Sequence, residues 1–186
     1  MKPKLSPRAI FLVGFMGAGK SRVGRALARR LGWRFVDIDR RVEARKGRSI
    51  AQIFRESGEG AFRRAETAEL KKLLRELRRF QKVVVALGGG VPAQAANRKL
   101  LRGRLTVFLN VPAETLWNRS RAGRGKRPLV KDQAGFYRLY LARLPHYLTS
   151  ALRVKAAGRN PGELAGGIAA KLGLGIRTKK RTQEKP

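Results

Sequence analysis

The chain has 186 residues, 42% of them hydrophobic, enough for one domain with a sizeable core. It contains no cysteine, which excludes disulfides and thiolate metal sites, and no apolar run is long enough to cross a membrane. Lysine and arginine number 44 against 12 acidic residues, and the formal net charge of +32 will attract any polyanion in a salt-dependent way. With 7% aromatic residues and no nucleic-acid-binding motif, the excess reads as solvated basic faces, with non-specific polyanion binding as a side effect. The rival reading is a nucleotide-binding regulator that binds nucleic acid selectively.

Residues 1–8 read as a disordered lead. Lys2, Lys4 and Arg8 followed by apolar residues 9–16 mimic a signal peptide, but cleavage there would destroy the motif that follows. Targeting is therefore rejected, and a cysteine-free chain fits the cytoplasm.

Four apolar residues, 10–13, read as a buried strand leading into Gly14-Phe15-Met16-Gly17-Ala18-Gly19-Lys20-Ser21. This stretch fits the phosphate-loop pattern G-x-x-x-x-G-K-[ST] without a gap. Ser21 opens a helical pattern with Val23, Leu27 and Leu31 on one face, ending at Gly32. Strand, glycine turn and helix are the setting the motif needs. Backbone N–H groups there can approach phosphate oxygens, and the helix N-terminus adds partial positive charge. Gly17, Ala18, Gly19, Lys20, Ser21 and Arg22 would hold ATP, with Lys20 on the β- and γ-phosphates and the Ser21 hydroxyl on Mg²⁺.

Residues 34–38 read as strand two, with Asp37 and Asp39 at its C-terminal end. A short basic helix runs to about Lys46, and Gly47 stops it. Ser49 and Gln52 form a capping box for a helix over residues 50–57, which Gly58 breaks. Residues 59–80 carry Phe62, Leu70, Leu73, Leu74 and Leu77 at helical spacing. Strand three covers residues 82–87 and runs into Gly88-Gly89-Gly90, whose lack of side chains would let backbone amides come close to a ligand. A helix is expected over 93–101 and strand four over 105–110, and Pro112 suits the first turn of the next helix.

Residues 121–135 are Gly-, Arg- and Lys-rich with poor periodicity, as in a mobile lid. A helix over 136–144 is expected to break at Pro145, and His146, the lone histidine, reads as structural. Strand five covers 152–155, Asn160-Pro161 opens a last helix to Leu172, and residues 174–186 read as a basic disordered tail. Strands alternating with helices predict an α/β fold, a three-layer αβα arrangement around a parallel sheet. Ligands of such sheets sit outside the carboxyl ends of the strands, where the phosphate loop, Asp37/Asp39 and the triple glycine all fall.

Several motifs occur together in order: the phosphate loop, Asp-x-Asp at 37–39, Gly-Arg-Ser-Ile at 47–50, Phe62-Arg63-Arg64-Ala65-Glu66, Gly88-Gly89-Gly90 and Arg127-Pro128-Leu129. The set resembles the shikimate kinase family over roughly residues 9–173. Two stretches depart from that family's habit, Arg22 after the loop and the turn over 154–158.

The resemblance implies a P-loop kinase fold whose five-stranded parallel sheet has the order 2-3-1-4-5, with a mobile lid. It implies transfer of the ATP γ-phosphoryl group to the 3-hydroxyl of shikimate, with Mg²⁺, by a monomer of the aromatic amino acid pathway. In that scheme Asp39 binds substrate hydroxyls and acts as general base, and Asp37 lies on the Mg²⁺ side. Arg63 and Arg143 hold the substrate carboxylate, and Gly88, Gly89 and Gly90 line its pocket. Arg127 swings in from the lid, while Arg119 or Arg121 flanks adenine. A kinase for gluconate or a nucleoside monophosphate is the rival enzyme.

Overall fold

The computed structural model describes residues 8–77, 82–122 and 132–174. Short apolar runs make its strands: β1 (Ala9–Val13), β2 (Arg34–Asp37), β3 (Val83–Ala86), β4 (Thr106–Asn110) and β5 (Leu152–Lys155). Ile10, Phe11, Leu12, Val84, Val85 and Val107 have no exposed surface, as expected where helices cover both faces of a parallel sheet. The order is β2-β3-β1-β4-β5 and every pairing is parallel, with Leu12 opposite both Ala86 and Val107. The sheet agrees with the expected order strand for strand.

The helices are α1 (Lys20–Leu31), α2 (Ile38–Lys46), α3 (Ile50–Glu76), α4 (Ala95–Leu101), α5 (Ala113–Ala122), α6 (Gln133–Leu148) and α7 (Pro161–Lys171). The expected capping box of Ser49 with Gln52 forms on α3, and a second one, Asn160 with Glu163, forms on α7. Gly32 ends α1 in the left-handed conformation, its N–H bonded to Arg29 O.

Several boundaries differ from the sequence reading. Ile38 belongs to α2 rather than to strand two. Asp37 has extended backbone and caps the helix by accepting from the Asp39 N–H at 3.2 Å, which moves Asp39 into the first turn. Gly58 has non-helical backbone (φ 75°, ψ 171°), so α3 is two helical stretches meeting at a kink, and the break expected at Gly58 is there. Residues 91–93 form a 3-10 turn, so α4 starts at Ala95.

Pro145 lies inside α6 and does not break it. The carbonyl that the proline leaves unbonded belongs to Leu141, four residues back. Leu141 and Pro145 are both exposed, so water can satisfy that group, while buried Phe136, Tyr140, Arg143 and Tyr147 anchor the opposite face. Of the expected lid, residues 121–122 end α5 and 133–135 begin α6, while 123–131 lie outside the described residues. The same holds for lead residues 1–7 and tail residues 175–186. No helix among the described residues is long and apolar enough to cross a membrane.

Candidate active site

The phosphate loop connects β1 to α1. Gly14, Gly17 and Gly19 have φ of 145°, 81° and 87°, values that side chains rarely tolerate, so glycine is required by conformation here. Gly19 is the N-cap of α1, no side chain caps the helix, and its first turn carries no acid. The first-turn amides are thus left to an anion. Lys20 Nζ donates to the carbonyls of Gly14 (2.8 Å) and Phe15 (3.1 Å), folding back over the loop. Ser21 Oγ donates to Asp37 Oδ2 at 2.6 Å, which joins the loop to the end of β2. Arg119, on the last turns of α5, donates to the Gly17 carbonyl at 3.3 Å, whereas exposed Arg121 has no such contact. Arg127 lies outside the described residues.

Beside the loop opens a cleft of about 180 Å³ lined by Met16, Asp39, Arg63, Glu66, Gly90 and Arg143 among others. That is below the roughly 300–1,000 Å³ of pockets for drug-sized ligands, so it suits a smaller acceptor. Five separate segments bring these groups together: the phosphate loop, α2, α3, the turn after β3, and α6. Arg63 donates from Nη2 to Glu59 Oε1 (2.9 Å) and from Nη1 to Glu66 Oε2 (3.0 Å), and its side chain is mostly buried. Arg143 is only 6% exposed and lies over the Phe15 ring at 5.7 Å. Burial lowers its guanidinium pKa, though not to where it could lose its proton.

Burial also pushes the Asp39 carboxyl above its usual range, against the pull of Lys20. Its Oδ1 is buried without a hydrogen-bond partner. Glu66 is fully buried, and burial pushes it up to about 7 in spite of Arg63. Glu66 Oε2 accepts from Arg63 and from Gln94 Nε2 (3.1 Å), while Oε1, like Asp39 Oδ1, has no partner.

Gly88, Gly89 and Gly90 do not have positive φ, so they are not there for a special backbone conformation. A Cβ at Gly88 would lie 2.0 Å from Glu66 Oε1 and 2.6 Å from Asp39 Oδ1, and one at Gly90 would meet the Arg63 guanidinium at 2.2 Å. These glycines make room for three charged side chains.

The structure thus gathers Asp37, Asp39, Lys20, Ser21, Arg63, Arg143 and the triple glycine at one edge of the sheet. Sequence reasoning gave no role to Glu66, Glu59, Phe15 or Tyr147. Glu59 and Glu66 stand four residues before and three after Arg63, which is ion-pair spacing on a helix and conspicuous where acids are few. Phe15 packs edge-on against Phe136 (5.1 Å) and Tyr140 (5.4 Å), pinning the phosphate loop to α6. No pattern in the sequence announces that contact. His146 is half-buried with a lowered pKa, from burial and Arg98, and does not line the cleft.

Comparison with known proteins points to one family. The family model described as shikimate kinase matches residues 16–172. A shikimate kinase of Aromatoleum aromaticum is 44% identical, the match covering 82% of this chain and 87% of that protein. One of Persephonella marina is 37% identical, covering 89% and 99% respectively. Among solved structures, shikimate kinase from Acinetobacter baumannii in complex with shikimate superposes with a TM-score of 0.78 at 33% identity, covering 90% of this chain and 94% of that one.

Proposed function

Because the chain belongs to the shikimate kinase family, we propose that it transfers the γ-phosphoryl group of ATP to the 3-hydroxyl of shikimate, giving shikimate 3-phosphate and ADP. The observation that carries this reading is a small cleft, with a buried carboxylate and two arginines, opening beside a complete phosphate loop.

The loop amides from Gly17, Ala18, Gly19 and Lys20 through Ser21 and Arg22 hold the ATP phosphates. Lys20 exchanges its two carbonyl partners for β- and γ-phosphate oxygens. Arg127 adds a second cation on the transferring group. Arg119, already against Gly17, flanks the adenine in preference to Arg121.

Ser21 and Asp37 would hold Mg²⁺. Their oxygens are 2.6 Å apart, and Mg²⁺ takes only one or two protein oxygens where phosphates and waters supply the rest. An ion held there would supply positive charge against that developing on the phosphate oxygens.

Arg63 and Arg143 hold the acceptor carboxylate, for which planar guanidinium donors suit better than ammonium. Asp39 orients the attacking hydroxyl and accepts its proton as the new O–P bond forms and the bond to the ADP oxygen breaks. Its raised pKa brings it nearer the operating pH of a general base. The enzyme works as a cytoplasmic monomer on the route to chorismate, and the +32 charge adds salt-dependent, non-specific polyanion binding.

A coupled ADP-release assay with and without shikimate tests the reading, with gluconate and nucleoside monophosphates as rival acceptors. ADP release is expected with shikimate; release driven by a rival acceptor and not by shikimate contradicts the assignment.

A further inference from the structure

One backbone donor in the acceptor cleft has its direction set from outside. The Gly90 N–H makes no backbone hydrogen bond among the described residues, although the carbonyls of Gly88 and Gly90 accept from Val91 N and Ala93 N. A trans peptide is planar, with its carbonyl and N–H on opposite sides. The Gly90 N–H therefore points wherever the Gly89 carbonyl does not. That carbonyl accepts from the Tyr147 hydroxyl at 2.5 Å.

Tyr147 is well suited to hold it. The side chain has no exposed surface and stacks on Phe108 of β4, with ring centres 5.3 Å apart at 29°. Arg143 lies four residues earlier on α6, on the same face of the helix, and its guanidinium is electrostatically coupled to the Tyr147 hydroxyl. Arg143 Nη1 sits 3.7 Å from where a Gly89 Cβ would be. Burial raises the phenol's pKa, so the hydroxyl stays a neutral donor at any pH at which the enzyme works.

We propose that Tyr147 is a positioning residue for the acceptor: one buried hydroxyl fixes the Gly89–Gly90 peptide and the Arg143 guanidinium together, so that a backbone N–H and a cation meet the acceptor carboxylate as a preset pair. This rests on the acceptor reading given above. It assigns Tyr147 no contact with the substrate and no part in proton transfer.

Tyr147→Phe keeps the ring and its stack on Phe108 and removes only the hydroxyl. Steady-state kinetics on wild type and variant, with shikimate and with its uncharged methyl ester as acceptors, separate positioning from general loosening. The variant is expected to raise the KM for shikimate about three- to tenfold, the range of one lost hydrogen bond. The KM for ATP should stay put, and the KM for the ester should not rise further, because the ester lacks the charge that the pair receives. Equal losses with acid and ester, a parallel rise in the KM for ATP, or an unchanged KM for shikimate would each overturn the proposal while leaving the acceptor reading intact. A wild type that does not phosphorylate shikimate overturns the acceptor reading and this proposal with it.

Discussion

The two halves of the site are built in opposite ways. The phosphate side is contiguous: eight residues, three glycines at positive φ and the open end of one helix supply nearly every group. The acceptor side is assembled: Asp39, Arg63, Gly88 to Gly90 and Arg143 arrive from four elements and are held by buried acids, aromatic rings and one tyrosine hydroxyl. Even glycine serves the two sides differently. In the loop it permits a conformation; after β3 it leaves space for side chains. A local motif needs only its own backbone, whereas an assembled one needs the whole core in register. α6 serves both, touching the loop through Phe136 and Tyr140 and the cleft through Arg143.

If the halves are energetically separate, single changes should strike one substrate at a time. Lys20→Met should have the largest effect. Losing a fixed cation on the transferring phosphate is expected to lower kcat by at least 10²–10³-fold, a loss of about 3–4 kcal/mol of transition-state stabilisation. The fold and shikimate binding should survive, as circular dichroism and a binding titration would show. Near-normal turnover would remove the loop from the mechanism.

Arg63→Ala and Arg143→Ala come next. Each removes a charge-assisted contact of roughly 1.5–3 kcal/mol, so the KM for shikimate should rise about ten- to a hundredfold at constant KM for ATP. Lysine at either position should restore only part of the loss, because an ammonium cannot make the planar fork.

Gly88→Ala sharpens the contrast between the two uses of glycine. Its methyl would force the Glu66 and Asp39 carboxylates apart, at a cost on the order of 1–3 kcal/mol of stability, with a fall in kcat and little change in the KM for ATP. Thermal melts and kinetics check this, and a variant with wild-type melting and turnover would show that the space is not needed.

The last effect concerns pH. Glu66 has a folded pKa of about 7, above its ordinary value, so the folded state binds the extra proton. Its contribution therefore favours folding at low pH and is lost as pH rises from about 4.5 to about 7, amounting to at most about 3 kcal/mol. Glu66→Gln cannot titrate. Denaturant midpoints at pH 5 and pH 8 should differ by less in the variant than in wild type, and identical pH dependence would assign the effect elsewhere. Asp39, also raised by burial, leaves a residual slope of the same sign in both proteins.

The sequence displayed one half of this site far better than the other. The phosphate loop, the Ser49–Gln52 capping box and the strands themselves were legible because each depends on neighbours a few residues apart or on hydrophobic runs, whereas the strand order followed only from the family resemblance. Asp39 and Arg63 could be picked out as candidates, but their supports could not, since Glu66 meets Asp39 only after α3 packs beside α2. Pro145 misled because its helix-breaking tendency is local, whereas the packing of Tyr147 and Arg143 that overrides it is tertiary. Ile38 misled because an apolar residue after a strand reads as more strand, although Asp37 was free to cap the helix instead.

The most direct test of the separation is a two-substrate kinetic matrix, ATP against shikimate, on wild type, Lys20→Met and Arg143→Ala. The account predicts a large loss of kcat with intact shikimate binding in the first variant, and a raised KM for shikimate at unchanged KM for ATP in the second. An Arg143→Ala enzyme whose two KM values rise together would contradict it, because the acceptor cleft and the phosphate loop would then be one coupled site.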